Sequence, residues 1–312
     1  MINNQSRIFI AGHKGMLGSS ILRILRKKGY KNLITIEKKK LDLRNQLLVK
    51  NFFKEKKPHA VIIAAAKVGG IKANMNYPAD FIYDNLQIQS NLISTSYNNK
   101  VKKLILFGSS CIYPKNLKKP IKENQMMTGP LEETNDSYSI AKIAGIKMIE
   151  AFNKQYKKRY ICLMPCNLFG PNDNYDANNS HFLPALIKKI YLASKKKKNK
   201  VVKLWGTGKP LREVLYVDEV GEACEYFLRK KTNSHLINIG SHTEKTIKDF
   251  AKKVRKKIDP SVNIKFDNNK KLDGVKRKKL DINLAKKYGW KSKMNFDETL
   301  EMTIEDFKRK YC

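Results

Sequence analysis

Between Arg7 and Pro165 the sequence alternates strictly between short apolar runs and longer stretches with helical periodicity, and few architectures accept that pattern. RIFIAG (7–12) is a short apolar run ending in glycine. LGSSILRILRKKG (17–29) places Ile21, Leu22 and Leu25 on one helical face and stops at Gly29. NLITIE (32–37) predicts a second strand, LLVKNFFKEKKP (47–58) a helix closed by Pro58, and AVIIAAA (60–66) a third strand. PADFIYDNLQIQSNLISTSYNN (78–99) predicts a long helix and KKLILFGSS (102–110) the next strand. DSYSIAKIAGIKMIEAFNKQY (136–156) predicts another long helix, and YICLMP (160–165) a further strand. Apolar runs of this kind suit parallel strands covered by helices on both faces. Parallel neighbours need a crossover, and right-handed crossovers wind helices onto both sides of one sheet. The expected fold is α/β, a doubly wound parallel sheet of Rossmann type with a smaller C-terminal substrate-binding lobe.

The pattern loosens after Pro165. NLFGPNDNYDANNSHF (167–182) is a long polar loop, and long irregular loops inside a compact chain are usually functional. A helix at 183–193, the lysine run SKKKKNK (194–200) and a strand at 201–205 follow. WGTGKPLREVLYV (205–217) reads as a hairpin-like stretch punctuated by glycine. A helix (218–230), a strand (236–239), a helix (246–257) and a mixed tail complete the chain. The expected division is residues 1–167 plus about 213–258 for the dinucleotide-binding domain and about 168–212 plus 259–312 for the smaller lobe.

Composition narrows the function classes. At 41% hydrophobic the chain has material for a packed interior. No window reaches the roughly 18 uninterrupted apolar residues of a membrane helix, and Met1–Arg7 lacks the apolar core of a signal peptide. These features predict a cytoplasmic protein that engages no membrane. The five cysteines, Cys111, Cys162, Cys166, Cys224 and Cys312, are odd in number and scattered. They form neither a disulfide framework nor, without a His cluster, a metal site. The net charge of +36 is spread along the whole chain, from Arg7 to Lys310, mostly beside apolar helix positions. No basic stretch is interleaved with aromatics as a base-stacking platform would be, so no nucleic-acid partner is expected.

Two local patterns carry chemistry. AGHKGMLG (11–18) follows the first strand and opens a helix, with Gly12, Gly15 and Gly18 spaced as G-x-x-G-x-x-G. Glycines let the backbone approach a pyrophosphate, and the helix N-terminus supplies N–H groups and positive potential. At the end of the second strand, Glu37 suits the ribose hydroxyls of NAD, whereas Lys38 and Lys14 suit the 2′-phosphate of NADP. The residues themselves leave that choice open. YSIAK (138–142) sets Tyr138 and Lys142 four apart on one helical face. A free phenol titrates near about 10, and a neighbouring ammonium favours the phenolate. Ser109, at the end of the preceding strand, can hydrogen-bond a substrate carbonyl.

The glycine loop, a strand-end Ser and Y-x-x-x-K together resemble the signature of the extended short-chain dehydrogenase/reductases. The segments AAAKVGGIKAN, YPADFIY, GSSCIYPK, YSIAKIAGIKM, NLFGPNDN, SHFLPALI and WGTGKPLREVLYVDE resemble, more narrowly, the GDP-L-fucose synthase family, and the likeness covers nearly the whole chain. The resemblance implies a bifunctional 3,5-epimerase/4-reductase that acts on a GDP-linked 4-keto-6-deoxy sugar, GDP-4-keto-6-deoxy-mannose, with NADP(H). It implies Ser109, Tyr138 and Lys142 as the reductase triad, and Cys111 as base and His181 as acid for epimerisation. It implies cofactor contacts from Gly12, His13, Lys14, Gly15, Met16, Leu17, Gly18, Lys38, Phe107, Gly108, Ser109, Ser110, Lys142, Pro165, Cys166, Asn167, Leu168 and His181. Lys189, Trp205, Arg212 and Asp273 match positions that hold the GDP-sugar. Three departures stand out: Lys14 and Lys189 replace arginines, and Glu37 is unusual for an NADP enzyme. A homodimer through the helices near 78–98 and 136–156 is implied as well. Two other readings compete. One is a C4 reductase of a related sugar such as a heptose, with little or no epimerase activity. The other is a nucleotide-sensing binding protein, which predicts a broken triad where Ser109, Tyr138 and Lys142 are intact.

Overall fold

The computed structural model describes residues 2–115, 117–176, 180–269 and 273–311; Cys312 lies outside them. β1 (Ile8–Ala11) is buried on both faces. α1 (Met16–Lys27) turns Gly18, Ser20, Ile21, Ile24 and Leu25 inward. It ends where Gly29 takes φ +81°, a conformation costly for residues with a Cβ. β2 (Leu33–Ile34), α2 (Gln46–Lys56), β3 (Ala60–Ile63), α3 (Ile71–Asn76), α4 (Pro78–Asn98), β4 (Lys103–Phe107), α5 (Asp136–Tyr156) and β5 (Ile161–Pro165) continue the alternation. α2 starts at Asn45, whose side chain accepts the Leu48 N–H, and ends with Lys57 in a left-handed conformation just before Pro58.

The second half holds β6 (Asn167–Phe169), α6 (Phe182–Ser194), β7 (Val201–Leu204), β8 (Leu211–Tyr216), α7 (Val217–Arg229) and β9 (Leu236–Ile239). β10 (Glu244–Thr246), α8 (Ile247–Ile258), β11 (Asn263–Phe266), β12 (Arg277–Lys278), α9 (Asn283–Lys287) and α10 (Phe296–Tyr311) complete it.

Six strands form one parallel sheet in the order β2-β1-β3-β4-β5-β9. Ile8 lies opposite both Leu33 and Ala60, which fixes β1 between β2 and β3. The chain therefore reverses its direction of travel across β1, and the crevice beyond the carboxyl ends of β1 and β3 is the switch point where such folds take ligands. The strands β1, β3, β4, β5 and β9 are buried throughout, which matches their uninterrupted apolar sequences. Among the described residues no helix is long and apolar enough to cross a membrane.

Several expectations need correction: β3 ends at Ile63 rather than Ala66, β4 ends at Phe107 rather than Ser110, and β6 opens the stretch 167–182 that the sequence reads as loop. The second strand is only Leu33–Ile34, not 32–37. It lies at the sheet edge, where a strand can end early without unpairing a neighbour. The carbonyl of Glu37 then accepts the N–H groups of Lys40 and Leu41 at 2.9 and 3.0 Å, turning the chain away. Residues 205–217 are not a hairpin either. β7 pairs in parallel with β11, while β8 pairs with β6, β10 and β12, so this stretch connects two small sheets.

The described residues form two hydrophobic cores. The larger surrounds the six-stranded sheet and includes Val220 and Phe227 of α7 together with Leu280, Ile282, Ala285 and Trp290. The smaller joins Leu186 and Ile187 of α6, Phe250 and Val254 of α8, and Leu300 and Phe307 of α10. Buried Glu213 ties the β8 sheet to both chain segments beside it, accepting the Ser241 and Leu280 N–H groups at 2.8 Å each.

Candidate active site

The glycine loop leaves β1 at the switch point. Gly12 takes φ +87°, and a Cβ there would lie 2.6 Å from the Ala65 backbone nitrogen. A Cβ on Gly18 would lie 2.1 Å from the Gly12 carbonyl oxygen. Chain packing thus accounts for both glycines. Gly15 is different: its φ of −72° suits any residue, and a Cβ there would meet only the Gly12 oxygen, at an ordinary 3.5 Å. What the bare Gly15 keeps open is the cavity. No side chain caps the α1 N-terminus beside it, and the buried His13 Nδ1 has no hydrogen-bond partner among the described residues. Burial, then Lys14, lowers the His13 imidazole pKa against the opposing pull of Glu37. A bare backbone, an uncapped helix start and an orphaned polar atom fit a dinucleotide pyrophosphate.

The cavity has a volume of about 610 Å³. It runs from the glycine loop and the Glu37–Lys38 turn past Phe107–Ser110 to Tyr138, Lys142 and Pro165–Leu168, and it includes His181. All the positions expected to contact the cofactor line it, together with Cys111.

Two helices set the chemical centre. α5 docks on α4 through Gln89, which donates to the Ala141 carbonyl; Gly145 leaves it room, since a Cβ there would come 2.5 Å from Gln89 Oε1. That docking sets Tyr138 and Lys142 under the end of β4. Lys142 is buried and donates to the Phe107 carbonyl at 3.1 Å, with its ammonium 5.7 Å from the centre of the Tyr138 ring. Burial lowers the Lys142 pKa to about 8. Burial also pushes the Tyr138 phenol up, reinforced by the Cys111 charge and opposed by the hydrogen bond from Ser109. The net direction is upward, so the phenol keeps its proton in the resting site, and the Lys142 ammonium beside it bears on the phenolate once that proton has left. The phenol loses its water, and the ammonium is anchored on a carbonyl instead. Ser109 caps the short turn Ser110–Ile112, its Oγ accepting the Cys111 N–H at 3.4 Å. His181 occupies the N-cap position of α6 without a capping hydrogen bond from its side chain; it is solvent-exposed, and partial desolvation lowers its pKa.

A glycine loop at the switch point and a buried Tyr/Lys pair beneath a strand-end serine have a counterpart among known proteins. The family model described as "NAD dependent epimerase/dehydratase family" matches residues 8–240. The chain belongs to that family. The likeness to GDP-L-fucose synthases also holds along the full chain. GDP-L-fucose synthase 1 of Arabidopsis thaliana is 44% identical over 312 residues, 100% of this chain and 96% of that protein. The GDP-L-fucose synthetase of Naegleria fowleri bound to NADP superposes with a TM-score of 0.91 at 28% identity, covering 100% of this chain and 95% of that one. A GDP-6-OMe-4-keto-L-xylo-heptose reductase from C. jejuni reaches 0.91 at 34% identity, covering 99% of each chain.

In this member of the epimerase/dehydratase family, Cys111 Sγ is bracketed by donors. Asn135 Nδ2 lies 3.5 Å from it and Lys278 Nζ 3.6 Å. Sequence reasoning missed both. Asn135 sits one turn before Tyr138 and was within reach of the motif. Lys278 arrives from β12, inside VKRKKLD, where nothing distinguishes it from its neighbours.

The four positions expected to hold the GDP-sugar lie outside the cavity lining. Lys189 Nζ stands 4.4 Å above the ring of Trp205, which is 62% exposed. The Arg212 guanidinium donates to the carbonyls of Leu211, Val275 and Asp273 at 2.9, 2.7 and 3.1 Å. The Asp273 carboxylate takes the N–H and hydroxyl of Thr207, both at 2.7 Å, and so orders the loop after Trp205. Arg212 is Cα-paired with Lys278, so β8 and β12 bring this cationic group alongside the Cys111 end of the site.

Proposed function

We propose that the protein is an NADPH-dependent GDP-L-fucose synthase, converting GDP-4-keto-6-deoxy-mannose to GDP-L-fucose by inversion at C3 and C5 and reduction at C4. The observation that carries this reading is the gathering of Ser109, Tyr138, Lys142, Cys111 and His181 around one cavity, in a chain with full-length likeness to such enzymes.

The C4 ketone acidifies the protons at C3 and C5, because their loss gives an enolate with its charge on the C4 oxygen. Cys111 removes each proton as the base, and its sulfur is held by Asn135 and Lys278. Proton return from the opposite face by His181 inverts the centre. Ser109 donates a hydrogen bond to the C4 oxygen and stabilises the developing charge. NADPH, when bound, supplies the hydride that C4 takes up. Tyr138 then transfers its proton to the C4 oxygen, and the Lys142 ammonium stabilises the phenolate left behind. Gly12–Gly18, Lys38 and Pro165–Leu168 hold the dinucleotide, while Lys189, Trp205 and Arg212 hold the GDP end, with Asp273 ordering their loop. The six-stranded unit serves the cofactor and the smaller core carries the sugar. The protein works in the cytoplasm as a homodimer joined through α4 and α5, on which Tyr83 and Ile140 are exposed.

A second reading, C4 reduction of a related GDP-4-keto sugar without epimerisation, draws support from the likeness to the C. jejuni heptose reductase. Incubation of the candidate GDP-4-keto sugars with NADPH, with product stereochemistry read by NMR, separates the two. GDP-L-fucose is the expected product; a product reduced at C4 with C3 and C5 uninverted selects the second reading.

A further inference from the structure

At the end of the cavity beside the sheet edge, an acid and a cation occupy one another. Glu37 Oε1 lies 2.6 Å from Lys14 Nζ, and these side chains are 47% and 67% exposed. Both line the cavity, and so does Lys38. The pair is not an accident of two free side chains. Lys14 stands inside the glycine loop, and the Glu37 backbone is pinned by the turn that its carbonyl closes with Lys40 and Leu41. Glu37 also stands about 20 residues beyond the loop, where dinucleotide folds place the residue that reads the adenosine ribose. An acid there accepts from a free 2′-hydroxyl, and a cation there binds a 2′-phosphate. This chain presents both at once, already paired.

We propose that Glu37 makes the cofactor site dual, accepting NAD(H) as well as NADP(H). The proposal rests on the dinucleotide reading of the cavity. With a 2′-hydroxyl, Glu37 accepts its hydrogen bond while keeping Lys14 as a partner. With a 2′-phosphate, Lys14 and Lys38 turn to the phosphate, and the Glu37 carboxylate is left as a like charge beside it. Affinity for NADP(H) is thus held below what the two lysines alone would give, and affinity for NAD(H) is raised.

Calorimetric titration of NAD⁺ and NADP⁺ into the wild-type protein and into Glu37→Gln and Lys14→Met variants tests this without any turnover. The wild type should bind the two nucleotides within about tenfold of each other. Glu37→Gln should tighten NADP⁺ about fivefold and weaken NAD⁺ about tenfold, since a like charge is removed and an ionic acceptor is lost. Lys14→Met should weaken NADP⁺ and leave NAD⁺ within about twofold, because the phosphate alone depends on that cation. An unchanged preference in Glu37→Gln, or a wild type that binds NADP⁺ but not NAD⁺, overturns the proposal while leaving the dinucleotide reading intact. A wild type that binds neither nucleotide overturns both.

Discussion

Lys142 is the residue on which the reductive half of the site turns. Its ammonium is buried against the Phe107 carbonyl with a pKa lowered to about 8. It is charged below that pH and neutral above it, so the support it lends to a Tyr138 phenolate fades as pH rises. Ketone reduction at saturating NADPH should fall through pH 8, and a rate that stays flat to about pH 9.5 would remove Lys142 from this role. Tyr138→Phe should lower reduction by about 10²–10⁴ and leave proton exchange at C3 and C5 largely intact. Lys278→Met should do the reverse on a smaller scale, slowing exchange about tenfold, because one of the two donors on the Cys111 sulfur is gone. Both rates can be followed by NMR on the same preparation. The sequence made Ser109, Tyr138 and Lys142 legible because their signal is local: a helical i, i+4 pair and a strand end. Lys278 was illegible because it meets Cys111 only through the folding of β12, and because 64 lysines and arginines leave no single cation conspicuous.

Among the elements, the loop between β1 and α1 separates packing from binding. Gly18→Ala should lower the melting temperature by more than about 4 °C, because its Cβ would lie 2.1 Å from backbone. Gly15→Ala should melt within about 2 °C of the wild type yet bind NADP⁺ at least about tenfold more weakly, since its Cβ would enter the cavity and not the protein. A thermal scan beside a nucleotide titration checks the pair; equal losses of stability in both variants would make Gly15 a packing residue. Most element boundaries in the first half could be read from apolar runs and stop signals to within three residues. The exceptions have physical reasons. β2 is an edge strand, and its apolar pattern outlasts its pairing. The stretch 205–217 looked like a hairpin, but β7 finds its partner in β11, more than fifty residues on, and no local turn rule foresees that pairing.

At the scale of the whole molecule, the two cores explain why the first half of the chain was easier to read than the second. The sheet that builds the cofactor crevice is made of neighbouring βαβ units, so sequence order and spatial order nearly coincide. The smaller core gathers α6, α8 and α10 from distant segments, and the connections among them carry Trp205, Arg212 and Asp273. The charge of +36 is distributed over the surface: with 28 acids against 64 basic side chains, most cations have no acid to pair with. It says more about composition than about a partner. The central claim is that one cavity performs both inversion and reduction, and it is tested most directly by exchange in D₂O. Incubated with GDP-4-keto-6-deoxy-mannose and no reductant, the protein should place deuterium at both C3 and C5, and Cys111→Ser should abolish that uptake. Wild-type protein that takes up deuterium at neither carbon, while still reducing the ketone when NADPH is added, would contradict the account.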